Sequence, residues 1–180
     1  MRVIAGSAGG QPLVAPRDAG TRPITDRVKE TLFAILGERV PDARVLDLYA
    51  GSGAIGIEAL SRGAAHATFV EQARPALAAL RTNLERTRLA DLASVHAVDV
   101  ERFLSGTGEE PWDLVFLDPP YELRAIVAPL RAVEPHLAPD AMVVIKHFWR
   151  TDLPELGQLH RVRQRRFGET MLSFLEAQGR

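Results

Sequence analysis

The spacing of apolar positions changes along the chain, and the changes divide it into elements. From Arg44 onward, short apolar runs alternate with stretches of helical spacing. The runs Val45–Tyr49, Ala67–Val70, Ala93–Val98, Leu114–Leu117 and Met142–Ile145 predict buried strands. Between them, Ala54–Ser61, Pro75–Arg88, Val100–Leu104 and Glu122–Leu137 predict helices. Leu77, Leu80 and Leu84 share a face of the second, and Pro75 suits its first turn. Pro129 and Pro135 are expected to break or shift the last. Strands alternating with helices imply right-handed crossovers and a parallel sheet covered on both faces.

The two ends follow other patterns. Val3–Ala5, a turn at Gly9-Gly10 and Gln11–Ala15 read as a small hairpin or extended arm, followed by an irregular stretch from Pro16 to Pro23. A helix is expected from Thr25 to Leu36, with Thr25 capping it, Val28, Leu32, Ile35 and Leu36 at helical spacing, and Gly37 stopping it. Near the C-terminus, Leu159–Arg166, the turn Phe167-Gly168 and Glu169–Leu175 predict an antiparallel pair at a sheet edge. The expectation is a single α/β domain over residues 1–180, with an arm and helix over 1–40 and a catalytic core over 43–180.

Composition narrows the chemistry. The 180 residues are 46% hydrophobic and 25% charged, with a formal net charge of −1. A nucleic-acid partner therefore needs a local basic patch rather than a global field. Lysine occurs only at Lys29 and Lys146, so arginine carries nearly all the positive charge. There are no cysteines, which excludes disulfides, thiolate metal sites and a cysteine nucleophile. The five histidines show no metal-ligand spacing, and no metal is expected. No apolar run approaches about 18 residues and no signal sequence opens the chain, so a cytoplasmic, membrane-free protein is expected.

The strongest local signal is Val45 to Gly56, a buried strand running into Gly51-x-Gly53-x-x-Gly56 at the start of a helix. Such glycines permit a sharp turn and close backbone approach to a ligand. Glu71 ends the next strand, 20 residues after Gly51, where a carboxylate can take both hydroxyls of an adenosine ribose. Dinucleotide-binding domains share these features. Asp47, four residues before Gly51, favours another cofactor, because a carboxylate there repels a pyrophosphate and suits an ammonium and a sulfonium. Asp99, placed at the end of the third strand, can accept an adenine amino group beside Val100. The cofactor set is thus Asp47, Tyr49, Ala50, Gly51, Ser52, Gly53, Gly56, Glu71, Gln72, Asp99 and Val100, and the cofactor is S-adenosylmethionine. The competing reading makes the glycines a plain turn and Glu71 and Asp99 helix caps.

After the fourth strand comes Asp118-Pro119-Pro120-Tyr121. An exocyclic amine on a base is a poor nucleophile, because its lone pair is delocalised into the ring. Two acceptors aimed at its hydrogens localise that pair. Asp118 can supply one, and the Pro119 carbonyl the other. The prolines stiffen the loop and remove backbone donors, and Tyr121 can stack on the base, worth roughly 1–3 kcal/mol. The alternative is a helix N-cap at Asp118 with prolines in the first turn.

These residues resemble the RsmD family of bacterial methyltransferases, which methylate N2 of a guanine in 16S ribosomal RNA. The similarity runs from Arg2–Gly6 and Gly9-Gly10, through Thr21–Phe33, Asp47–Gly63 and Asp118–Tyr121, to Phe167–Thr170. Thr21–Phe33 is the most distinctive segment, with Ile24 where the family often has threonine. The resemblance implies a Rossmann-like class I methyltransferase fold with a mostly parallel seven-stranded sheet, an antiparallel C-terminal edge hairpin, and an N-terminal hairpin plus helix. It also implies S-adenosylmethionine as donor and 16S rRNA in the small ribosomal subunit as partner, with the enzyme a monomer.

Arg22, Thr25 and Arg27 are candidates for substrate or cofactor contact, against a capping Thr25 and an Arg27–Glu30 helix pair. Arg161, Arg163 and Arg165 would share a strand face, with Arg163 and Arg165 as candidate RNA contacts. The same charges would also protect an edge strand. His147, Phe148 and Trp149 either approach the substrate or pack at the rim. Adenine N6 methylation, a non-catalytic cofactor-binding assembly factor and an NAD-dependent oxidoreductase stand as alternative functions.

Overall fold

A computed structural model describes residues 1–16, 24–106, 108, 111–119, 123–154 and 157–178. The chain alternates as expected: α1 (Asp26–Leu36), β1 (Arg44–Leu48), α2 (Ala54–Ser61), β2 (His66–Val70), α3 (Arg74–Thr87), β3 (Ala93–His96), α4 (Val100–Gly106), β4 (Trp112–Leu117), α5 (Leu123–Val133), β5 (Leu137–Phe148), β6 (Leu159–Phe167) and β7 (Thr170–Ala177). Among the described residues these strands form one seven-stranded sheet in the order β3-β2-β1-β4-β5-β7-β6. Strands β3 through β5 are parallel, while β7 is antiparallel to both β5 and β6. This is the Rossmann-like α/β arrangement that the alternating pattern predicts.

Helix α1 forms because Thr25 accepts the Val28 N–H through its hydroxyl, and Gly37 ends it with φ at 50°. Its face Val28, Leu32, Phe33 and Leu36 is buried with Ile57, Leu60, Leu80, Phe116, Val144 and Phe174 on one side of the sheet. On the other side, Phe103 and Leu104 of α4 and Ile126, Leu130 and Val133 of α5 cover Leu46, Leu48, Val115 and Leu117. Successive strand residues thus feed opposite cores, as the pleat requires.

Three elements depart furthest from their expected bounds. Strand β3 stops at His96, leaving Asp99 in the following loop. Helix α5 accommodates Pro129, which removes only one N–H, but ends at Val133; Pro135 then sits in a 3-10 turn and Leu137 opens a strand. Strand β5 runs 12 residues because its pairing continues along β7 to Phe148. The N-terminal arm is a hairpin, as expected, with a single bridge, Arg2 to Pro12, extended by Val3 N–H to the Gln11 carbonyl (2.9 Å) and Leu13 N–H to the Met1 carbonyl (3.1 Å).

That arm is held by side chains. Glu58 on α2 is fully buried and accepts the Ile4 N–H (2.7 Å), the Ala5 N–H (3.1 Å), Lys29 Nζ (3.1 Å) and Arg62 Nε (2.8 Å). Lys29 Nζ also donates to the Arg2 carbonyl. Ser61 accepts the Ala8 N–H and donates to the Ala5 carbonyl. A buried ion pair needs this kind of saturation, since desolvation otherwise outweighs the attraction.

Candidate active site

The strand order reverses between β1 and β4, and in open α/β sheets the crevice beyond the carboxyl ends at such a point binds ligands. Leu48 of β1 pairs in register with Leu117 of β4. The glycine loop and the Asp118 loop therefore leave the same edge side by side, about 4.8 Å apart at the strands.

In the glycine loop, Tyr49, Gly51 and Gly53 all have positive φ, at 58°, 56° and 77°. For the non-glycine Tyr49 this stores strain of about 1–3 kcal/mol. A Cβ at Gly56 would lie 2.4 Å from the Phe69 ring, whereas one at Gly51 would meet nothing within 4 Å. Gly56 is therefore required by packing, and Gly51 faces the crevice. Burial pushes the Tyr49 phenol up to about 12, helped by Asp99 and Glu101, whose charges reach it from the start of α4.

Asp47 is buried on the α2 side of β1, and its Oδ2 accepts the Gly56 N–H at 2.9 Å. Burial pushes its carboxyl up to about 8, against the Gly56 bond, with Asp118 and Glu71 adding to the rise. Burial thus works against the charge expected to repel a pyrophosphate, and the hydrogen bonds of the loop supply a further argument against one. Glu71 Oε2 accepts the Gly51 N–H at 2.9 Å, and its Oε1 accepts the N–H groups of Gln72 and Ala73 at 2.8 Å each. The Gly51 and Gly56 donors that a phosphate would use are already taken by carboxyl groups of the protein itself. A cationic cofactor fits this acidic, donor-poor loop better than a dinucleotide does.

Asp99 stands three residues beyond β3, and its Oδ1 caps α4 by accepting the Glu101 and Arg102 N–H groups at 3.0 and 3.2 Å. The placement of Asp99 at a strand end is thereby corrected; any ligand contact falls to Oδ2. Val100 beside it is buried. Ala50 donates its N–H to the Val70 carbonyl, and the carbonyl of the buried Ser52 accepts from Asn83 Nδ2 at 2.9 Å.

Asp118 follows β4 with its side chain 31% exposed, and Lys146 Nζ donates to both its oxygens, at 2.9 and 2.7 Å. Burial raises its carboxyl above the usual range, while the Lys146 charge and hydrogen bonds oppose the rise. Pro119 is buried next to it. Pro120 and Tyr121 lie outside the described residues, as does Arg22.

The remaining candidates are dispersed. Thr25 spends its hydroxyl on the α1 cap, and Arg27 is exposed on the first turn. Arg163 and Arg165 pair with Phe174 and Leu172 and so share a face, but a bulge between Arg161 and Arg163 sends Arg161 to the opposite face with Leu175. The expected three-arginine face is therefore a two-arginine face, because the extra residue reverses the alternation. These residues stand two strands away from β5 and do not join Asp118. His147 is buried, with Nδ1 against the Phe148 carbonyl and Nε2 against the Ser173 hydroxyl, and belongs to the core.

Sequence reasoning passed over Lys146, Lys29, Glu58, Ser61 and Asn83. Asn83, fully buried on α3, bonds both the N–H and carbonyl of Val14 as well as Ser52, joining arm to glycine loop. The available signal was the rarity of lysine: both lysines form ion pairs inside the fold. Among the described residues no cluster of three or more His, Asp or Glu could hold a metal. No helix of the described residues is long and apolar enough to cross a membrane.

A carboxylate-lined loop at the switch point of this sheet defines an S-adenosylmethionine-dependent methyltransferase of class I, and relatives agree. Residues 1–176 match the family described as conserved hypothetical protein 95, and the chain belongs to that family. It is 38% identical over 184 residues to YlbH of Bacillus subtilis, provisionally named an rRNA methyltransferase, covering 99% of this chain and 100% of that one. It is 37% identical to ribosomal RNA small subunit methyltransferase D of Escherichia coli, over 89% of this chain and 83% of that protein. Its fold superimposes on yhhF of Escherichia coli, provisionally named a methyltransferase, with a TM-score of 0.89 at 34% identity, covering 100% and 99% of the two chains.

Proposed function

We propose that the protein methylates the exocyclic N2 amine of a guanine in the 16S rRNA of the small ribosomal subunit. The carrying observation is the adjacency of the Asp118 carboxylate and the glycine loop across the in-register pair Leu48–Leu117. The rRNA target follows the name of the Escherichia coli relative.

When bound, S-adenosylmethionine supplies an activated methyl on a sulfonium. The protein supplies the rest. Asp118 accepts one hydrogen of the amine and the Pro119 carbonyl the other, concentrating the nitrogen lone pair toward the methyl. Lys146 holds the Asp118 side chain aimed and opposes the desolvation that favours its neutral form. Each carboxylate oxygen keeps a further lone pair for the substrate. Holding the reactants in line supplies up to about 7–11 kcal/mol of the acceleration. The product amine is acidic and releases its proton without a strong base. Glu71, Asp99 and Tyr49 line the cofactor side of the crevice, and Arg22, Arg27, Arg163 and Arg165 are the candidate RNA contacts.

The test is transfer of a labelled methyl to small subunits that lack the modification, mapped by mass spectrometry. Label on guanine N2, lost in Asp118→Ala while cofactor affinity stays near the parent value, is the expected result. Label on adenine N6, or none, overturns it.

A further inference from the structure

At the carboxyl end of β5 the chain turns through Trp149 and Arg150, and the turn between β6 and β7 folds beside it. Trp149 N–H donates to the Glu169 carbonyl at 2.9 Å, locking the two turns together. The half-buried indole is flanked by two guanidinium groups, with Arg166 Cζ 3.8 Å and Arg150 Cζ 4.7 Å from the ring centre. Arg166 Nε is also fixed by the Gly168 carbonyl at 2.8 Å. Both arginines are exposed, and no salt bridge among the described residues involves either. From Gly157 to Gly168 the sequence has four arginines and no acid, although the whole chain carries a net charge of −1. Arg166 of this run and Arg150 bring two positive charges to the corner, against the carboxylate of Glu169 in the same turn.

The corner adjoins the candidate active site. Lys146, whose ammonium grips Asp118, lies three residues before Trp149 on the same strand and turn. Three extended residues span at most about 10 Å, the rise of about three stacked nucleotides.

We infer that Trp149, Arg150 and Arg166 form a docking platform for the single-stranded RNA flanking the target base. The guanidinium groups, held flat against the indole, take phosphates and present their own planes to a neighbouring base. An acidic protein partner would find the charges but would have no use for guanidinium planes held flat by an aromatic ring. This inference rests on the RNA reading of the same crevice.

The test is equilibrium binding of a short single-stranded RNA oligomer and of naked 16S rRNA to the full chain. Of the two tryptophans, Trp112 is wholly buried in the core, so quenching on RNA addition reports Trp149. The expected result is quenching in the parent and none in Trp149→Phe, with affinity largely kept. Trp149→Ala weakens binding about tenfold. Arg150→Gln and Arg166→Gln each lower the slope of log affinity against log salt by about 0.7. Arg150 makes no hydrogen bond among the described residues, so Arg150→Gln alone carries the test should Arg166→Gln disturb the turn. Parent-like affinity and salt slope in the alanine and glutamine variants overturn the platform alone. Variants that bind naked rRNA normally but lose the intact subunit also overturn it, because the surface then meets protein. Failure of the parent to bind either RNA also overturns the platform, whereas the RNA reading itself stands or falls with methyl transfer to the subunit.

Discussion

Asp118 and Lys146 form the pair on which the chemistry turns. Desolvation favours the neutral acid, and the ammonium works against it without cancelling the rise. Lys146→Met removes the opposing influence, so the carboxyl titrates higher and a larger fraction is protonated at neutral pH. The expected outcome is a rate about 10- to 100-fold lower at pH 7, matching a charge-assisted bond of about 1.5–3 kcal/mol. The acid limb of the pH–rate profile moves to higher pH, and the rate recovers as pH rises. Lys146→Arg keeps most of the activity. A uniform loss at every pH would show that the lysine only supports folding. Asp118 was readable from its motif, but Lys146 was not, because the register of β4 against β5 brings them together across 28 positions of sequence.

Asp47 responds to pH in the opposite sense to a salt-bridged acid. Its folded value of about 8 lies above the ordinary 3.8, so the native state binds its proton more tightly than the unfolded chain. Its stabilising contribution is complete below about 3.8 and is lost as pH rises through about 8. Asp47→Asn, which still offers Gly56 an acceptor, should remove that dependence. Urea unfolding at acid and mildly alkaline pH checks it: the parent weakens relative to the variant as pH rises.

At the scale of elements, the strand and helix sequence was legible because apolar periodicity is strong where both faces are buried. What escaped were features set by partners. The length of β5 depends on β7, and the bulge in β6 depends on how that strand is bent to follow its neighbour. The arm was visible only as glycines and short apolar runs. Its attachment needed Glu58, a helix residue that periodicity alone would count as surface. Glu58→Ala leaves Lys29 buried with only the Arg2 carbonyl, which should cost about 3–5 kcal/mol. Amide exchange at Ile4, Ala5 and Ala8 should accelerate beyond that of the core strands. Unchanged exchange there would mean that the arm is held by its apolar contacts, Val3 and Leu13.

For the molecule as a whole, the parallel sheet was implied by the alternating pattern, yet the acidic crevice is more internally satisfied than isolated motifs suggest. Asp47, Glu71 and Asp99 all bond backbone N–H groups of the protein. Each motif shapes the loop first and meets a ligand second. No single stretch of sequence displays that, since the bonds join β1 to α2, β2 to the glycine loop, and the start of α4 to the residue before it.

The sequestering of both lysines has a practical consequence for anyone handling the protein. Lys29 is fully enclosed and the Lys146 side chain is only 12% exposed. Amine-directed reagents should therefore reach the Lys29 and Lys146 side chains only after unfolding, which intact-mass measurement before and after denaturant would show.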